Sequence, residues 1–365
     1  MLPEPLGIAI MFGVGGILIY LAIAKEYEPM LLLPIGFGVL LGNLPDSPLN
    51  PFHEGGMLFI LREFGIETEL FPLLIFVGIG AMMDFRPLLS QPIFALLGAA
   101  GQLGIFITLL LATLLAFPLN EAASIAVIGA IDGPTSIYVS SVLAPELLAP
   151  IAVTAYSYMS LVPIIQPPIM RWLTTREERL IRMEYAPRPV PRAAIIIFPI
   201  VVTVGVSLLV PDSAPLIATL MLGNLLKESG VVEPLAKSAA NELINVSTLF
   251  LALTVGSLMQ ASTFLQPQTL LILLLGLTAF VVDTIAGLFF GKALKVATGG
   301  RINPLVGAAG ISAFPMSGRL VQRLAQEEDF TNHVLMHAMG ANTAGQLGSV
   351  IAGGVLLDMV TNALG

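Results

Sequence analysis

The chain has 365 residues, 56% of them hydrophobic and 11% charged, with a mean hydropathy of +0.91. A soluble domain carries about 25% charged residues, so this is a polytopic membrane protein, and its long apolar runs make it helical rather than a barrel of short alternating strands. The net charge of −8 is spread over loops, no patch suits nucleic acid, and the lack of cysteine excludes disulfides, thiol nucleophiles and thiolate metal sites.

Apolar length and breakers predict crossings at residues 5–24, 30–44, 70–83, 92–117 and 148–170 in the first half. In the second half they fall at 193–210, 214–226, 243–260, 268–291 and 333–360. No basic region precedes the first run, so Ile8 to Ala24 reads as a retained span rather than a cleaved signal. Two further stretches, 121–143 and 303–318, are apolar but interrupted by glycine and proline.

The halves repeat one another. Gly129, Pro134 and Ser136 recur 181 residues later as Gly310, Pro315 and Ser317, and Leu41-Gly42-Asn43 recurs at the same offset as Leu222-Gly223-Asn224. Gly80-Ala81-Met82-Met83 resembles Gly256-Ser257-Leu258-Met259. The expected architecture is an all-α polytopic membrane protein of two inverted repeats. Each has about five transmembrane helices and one broken or re-entrant segment. Residues 1–170 form the first repeat, 171–192 a basic linker, and 193–365 the second.

Positive charge sets the orientation. The linker holds Arg171, Arg176, Arg179, Arg182, Arg188 and Arg192 and is expected in the cytoplasm. If each broken stretch enters and leaves on one side, each half crosses five times and the second half is inverted. Lys25, Arg86, Lys227, Lys237, Lys292, Lys295, Arg301, Arg319 and Arg323 then all fall on the cytoplasmic side, leaving Arg62 outside. Inverted repeats with interrupted helices are the architecture of secondary transporters. Irregular backbone at that depth is confined to protein interior or a wet cavity, where carbonyls serve hard cations such as sodium.

Asp132 is the foremost candidate, because a carboxylate amid an apolar run costs about 2.5–3.5 kcal/mol even on the lenient insertion scale. Gly133 lets backbone approach it. Tyr158 lies about ten residues from either end of its span, too deep for an interfacial tyrosine belt. Asn303, Ser312 and Arg319 belong to the second broken stretch, with Gly307 and Gly310 allowing close approach. Arg319 suits a carboxylate bidentately, or anchors the chain at the cytoplasmic face. Asn342, with Thr343, Gln346 and Ser349 nearby, is either an ion ligand or helix–helix glue. Asp84 reads as a helix-end residue paired with Arg86. Asp283 sits deep in a span with no assignable partner. His333 and His337 have metal-binding spacing but no further histidine cluster or cysteine to support it.

The motifs GAIDGPTSIY, AYSYMS, NPLVGAAGISAFPMSGRLVQ and MHAMGANTAGQLGSVIAGG resemble the beta subunit of the sodium-pumping biotin-dependent decarboxylases, and the resemblance covers most of the chain. The family acts on oxaloacetate, methylmalonyl-CoA, glutaconyl-CoA or malonate. It implies decarboxylation of carboxybiotin coupled to sodium export, with an external proton consumed. The partners it implies are biotin carboxyltransferase and biotin carrier subunits and a small single-span gamma or delta subunit. It also implies homo-oligomeric assembly within the cytoplasmic (inner) membrane. Carried over, Asp132 and Tyr158 match the functional aspartate and tyrosine, and Asn303, Gly307, Ser312, Arg319 and Asn342 match the remaining motif residues. The implied arrangement has sodium at Asp132 and Asn342 and a second site at Ser312, Asn303 and Tyr158. Arg319 holds the carboxylate of carboxybiotin, and Tyr158 relays a proton. The alternative is a stand-alone sodium-coupled carrier or sodium/proton antiporter.

Overall fold

The structure is a computed structural model that describes residues 4–45, 47–183 and 189–364; Arg188 of the basic linker lies outside them. Every regular element among the described residues is a helix. The first half contains α1 (Glu4–Ala24), α2 (Pro29–Gly42), α3 (Leu70–Met82), α4 (Phe94–Leu114), α5 (Leu119–Ala126), α6 (Gly133–Leu143) and α7 (Leu148–Leu173). The second contains α8 (Arg192–Leu209), α9 (Ala214–Ser229), α10 (Ile244–Leu258), α11 (Pro267–Ala297), α12 (Met316–Glu328) and α13 (Leu335–Leu364).

Seven helices among the described residues are long and apolar enough to cross a bilayer, or up to eight if the bent pair Met57–Glu67 and Leu70–Met82 is one span. The expected crossings at 30–44, 70–83 and 214–226 are the ones that fall short. α2, α3 and α9 have 14, 13 and 16 residues. At 1.5 Å per residue they span roughly 20–24 Å, less than the ~30 Å hydrocarbon core.

The short helices pack across the two halves, α2 on α10 and α3 on α9. Glycine makes both crossings possible. A Cβ at Gly42 would overlap the carbonyl oxygen of Ser257, and one at Gly223 the carbonyl oxygen of Val77. Each crossing carries an asparagine clasp. Asn43 Nδ2 donates to the Met259 carbonyl at 2.7 Å and its Oδ1 accepts from Ala261 N–H at 3.0 Å. Asn224 Nδ2 donates to the Met83 carbonyl at 3.2 Å. The LGN asparagine of each half thus ties down the end of the GxxM segment of the other.

A second group contains α4, α7, α11 and α13, which surround the two broken segments. The first segment runs α5, a 3-10 turn Val127–Ala130, and then α6. The second begins with the 3-10 stretch Pro304–Gly310, becomes extended at Ile311, and continues into α12. The turns meet directly, Ser312 N–H donating to the Ala130 carbonyl at 3.3 Å. Gly129 lies against α4 and α11, and Gly310 against α4 and α13.

The linker is clamped at one end of this group. Arg171 pairs with Glu327 at 2.6 Å, Arg179 with Glu328 at 2.6 Å and Arg182 with Asp329 at 2.6 Å. Glu178 is held between Lys292 and Lys295. The end of α7, the end of α11 and the end of α12 are thereby tied into one basic and acidic lattice.

Candidate functional site

Asp132 is the N-cap of α6. The residue before it, Ile131, has φ 54 and ψ 42, a left-handed conformation that a β-branched side chain rarely adopts. Such strain persists where the surroundings over-determine it, and it collects at functional sites. Here the Ile131 N–H closes the preceding turn onto the Ile128 carbonyl, and the next residue turns its carboxylate inward.

The Asp132 side chain is buried and collects four donors. Oδ2 accepts from Thr135 Oγ1 at 2.8 Å, Gln346 Nε2 at 2.6 Å and Ser349 Oγ at 2.8 Å. Oδ1 accepts only from the Thr135 backbone N–H, at 3.3 Å. These dipoles fix the carboxylate in place and bring no opposite charge to it. The lightly used Oδ1 leaves room for a monovalent cation or a proton.

Gln346 and Ser349, which the sequence left among possible helix–helix glue, are partners of Asp132. With Asn342 they occur at i, i+4 and i+7, one face of α13. That spacing was the available signal, because a polar stripe in an apolar helix has to face something polar. Asn342 turns Nδ2 to the Ile311 carbonyl at 2.8 Å, while its buried Oδ1 has no hydrogen-bond partner among the described residues. Ser312 Oγ donates to the Gly345 carbonyl at 3.0 Å. Ser312 and Asn342 therefore join the second broken segment to the face of α13 that carries the Asp132 partners.

A cavity of about 360 Å³ leads to this place. Asp132, Tyr156, Ser312, Arg319, Gln346 and Asn245 are among its lining residues. Arg319 makes no ion pair or hydrogen bond through its side chain among the described residues. Glu28, in the α1–α2 connection, stands on the same cavity; burial pushes its carboxyl up and the Arg319 guanidinium pulls it back.

Two expected residues stand elsewhere. Tyr158 donates its hydroxyl to the Leu273 carbonyl of α11 at 2.7 Å and packs behind the first broken segment beside Ile128 and Gly276. Residues two apart on a helix point some 200° apart, so only one of Tyr156 and Tyr158 can face the cavity. It is Tyr156, whose ring lies over Gly133 so closely that a Cβ there would be 2.5 Å from the ring carbon bearing the hydroxyl. That hydroxyl is buried and has no partner among the described residues. Asn303 caps the Pro304–Gly310 stretch through Leu305 N–H at 3.0 Å and donates to the Arg179 and Ile181 carbonyls at 3.1 and 2.9 Å. The trio Ser312, Asn303 and Tyr158 is therefore not gathered, because each side chain bonds a different main-chain carbonyl. Gly307 lies backbone to backbone against Gly287 of α11.

Asp84 accepts from Arg86 N–H at 2.9 Å and pairs with its guanidinium at 3.2 Å. Asp283 accepts from Gly104 N–H, while its Oδ2 is buried without a hydrogen-bond partner among the described residues. No three His, Cys, Asp or Glu side chains gather as a metal site among those residues.

Known proteins align over nearly the whole chain. The chain is 51% identical to the methylmalonyl-CoA decarboxylase subunit beta of Veillonella parvula, over 98% of this chain and 94% of that one. It is 50% identical to the glutaconyl-CoA decarboxylase subunit beta of Acidaminococcus fermentans, over 97% and 93%. It is 45% identical to the oxaloacetate decarboxylase beta chain of Klebsiella pneumoniae, over 97% and 95%. The model of the Na+-transporting oxaloacetate decarboxylase beta subunit matches residues 7–360, and with these identities it places the chain in that family.

Proposed function

We propose that this chain decarboxylates a carboxylated biotin presented by a carrier subunit and couples the reaction to sodium export across the cytoplasmic membrane. The observation that carries the reading is Asp132, a donor-fixed carboxylate on the cavity wall, placed where two broken segments meet and sharing the cavity with an unpaired arginine. Sodium binds at Asp132 with oxygen ligands from the α13 face, Asn342 Oδ1 among them. Arg319 attracts the carboxylate of the substrate. In the reaction the carbon–nitrogen bond of the carbamate breaks, CO2 leaves with the carboxylate oxygens, and the ureido nitrogen keeps the electron pair and takes a proton from the external side.

The matched clasps of Asn43 and Asn224 support the inverted-repeat reading. The cavity lining supports a cytoplasmic opening. It includes Arg319 and Met82, whose carbonyl accepts from Lys227 Nζ, and both of these basic residues are expected on the cytoplasmic side. Transport then requires that sodium and substrate favour different arrangements of the two helix groups. The relatives are named as beta subunits, which supports a multi-subunit complex, and this reading takes a carboxyltransferase, a biotin carrier and a small membrane subunit as partners.

The test is CO2 release from free carboxybiotin by the purified complex, titrated with sodium against potassium. Sodium-stimulated release that disappears in Asp132→Asn is the expected result. An Asp132→Asn protein that still releases CO2 with unchanged sodium dependence overturns the assignment, and a release-inactive chain that moves sodium alone favours a secondary carrier.

A further inference from the structure

One wall of the cavity is unexplained by Asp132, Arg319 and the broken segments. It belongs to α10 and the turn before it, which contribute Asn241, Asn245 and Thr248. These residues fall at i, i+4 and i+7, a single polar stripe. The Asn245 side chain and the Thr248 hydroxyl make no hydrogen bond among the described residues, and Asn241 uses one N–H on the Lys237 carbonyl at 2.8 Å. The stripe therefore offers free amide donors and acceptors to the cavity. Its backbone is also distinctive. Ala239–Leu243 is a π turn, an insertion that re-phases a helix and concentrates at functional sites. α3 presses on this turn, and a Cβ at Gly78 would stand 2.9 Å from the Ala239 carbonyl oxygen.

The rest of the cavity decides what ligand suits such a wall. A guanidinium, Arg319, and two carboxylates, Asp132 and Glu28, are already present. A second charged group on the ligand would have to face one of them, but a neutral ring edge needs neutral partners. A cyclic urea presents a carbonyl acceptor and an N–H donor on adjacent atoms, and a primary carboxamide is the side chain that answers both. An N-carboxylated cyclic urea adds one negative group, repelled by Asp132 and drawn to Arg319. That leaves its ureido edge for the opposite wall.

Resting on the decarboxylase reading, we propose that Asn245, flanked by Asn241 and Thr248, is the receptor for the ureido ring of the carboxylated biotin. Its role extends past binding. As the carbon–nitrogen bond breaks, the electron pair left on nitrogen is shared with the ureido oxygen until a proton arrives. An amide N–H already aimed at that oxygen stabilises the charge as it develops. Asn245 is thus a binding residue that also lowers the barrier.

Free N-carboxybiotin tests this with the intact membrane complex, because it bypasses the carrier. Asn245→Leu is expected to raise KM about tenfold, the effect of one lost neutral hydrogen bond, and to lower kcat as well. Asn245→Gln, which keeps the amide, is expected to recover part of both. The half-saturating sodium concentration stays unchanged in both variants, since Asp132 and its donors are untouched. Asn245→Leu and Asn241→Leu proteins whose KM and kcat lie within twofold of wild type overturn the proposal alone. A folded wild type that releases no CO2 overturns the decarboxylase reading and the proposal with it. A changed sodium requirement with an unchanged KM overturns the proposal too, because it moves the stripe from the urea to the ion.

Discussion

Asp132 shows how a buried charge is kept in a membrane protein. Its four donors come from its own helix and from α13, so among the described residues no arginine or lysine hydrogen-bonds the carboxylate. The residue was legible because an acid in an apolar run stands out in any sequence. Its partners Gln346 and Ser349 were less so, since glutamine and serine also serve as ordinary helix glue. The depth of Tyr158 was legible from its distance to the span ends, but its azimuth was not. Only packing reveals that α11 takes Tyr158 while the cavity takes Tyr156. Asp283 offers a residue-scale prediction. Its carboxyl accepts the buried Gly104 N–H, so Asp283→Asn, which retains an acceptor, should leave thermal stability in detergent nearly unchanged. Asp283→Leu strands that N–H and should cost about 1–3 kcal/mol, read as a lowered Tm. Equal melting of the two variants contradicts the contact.

Among elements, length and breakers located the helices to within a few residues, because a bilayer demands long apolar runs and glycine and proline end them. What could not be read was that the shortest helices cross one another. That follows from close glycine contacts between residues far apart in the sequence, such as Gly223 against Val77. Gly223→Val should therefore force α9 away from α3 and abolish recovery of monodisperse protein. Gly13→Val, which meets open space on α1, should be recovered like wild type, and equal recovery of both removes the steric account. The basic linker suggested an orientation from sequence but not its further role as a clamp on the end of α12. Thr331, and after it Arg182, hold the Asp329 carboxyl down to about 2. A depressed carboxylate adds stability above its unfolded value near 3.9, and this is lost as pH falls through the folded value. The Tm difference between wild type and Arg182→Gln should thus be present at pH 6 and shrink towards zero near pH 2. A difference that persists there locates the effect of Arg182 elsewhere.

For the whole molecule, the reading that matters is which compartment each end of the fold meets. The chain contains no cysteine, so single cysteines can report it without background. Asn241→Cys, an exposed position on the cavity wall, should react with an impermeant maleimide only from the cytoplasmic side. Asn50→Cys, in the long loop after α2, should react only from the outside. Labelling of both from one side is incompatible with the proposed orientation.

The pairing of Asp132 with Gln346 and Ser349 has a consequence for how the protein is made. The carboxylate enters the membrane more than two hundred residues before the helix that supplies two of its four donors. Until α13 arrives, the nascent chain must keep an under-partnered acid near water or near its own backbone, and the first broken segment has no Ser312 N–H to lean on. The half that contains Asp132 is therefore unfinished when it leaves the ribosome. The site comes into being in a single late event, when the last helix docks.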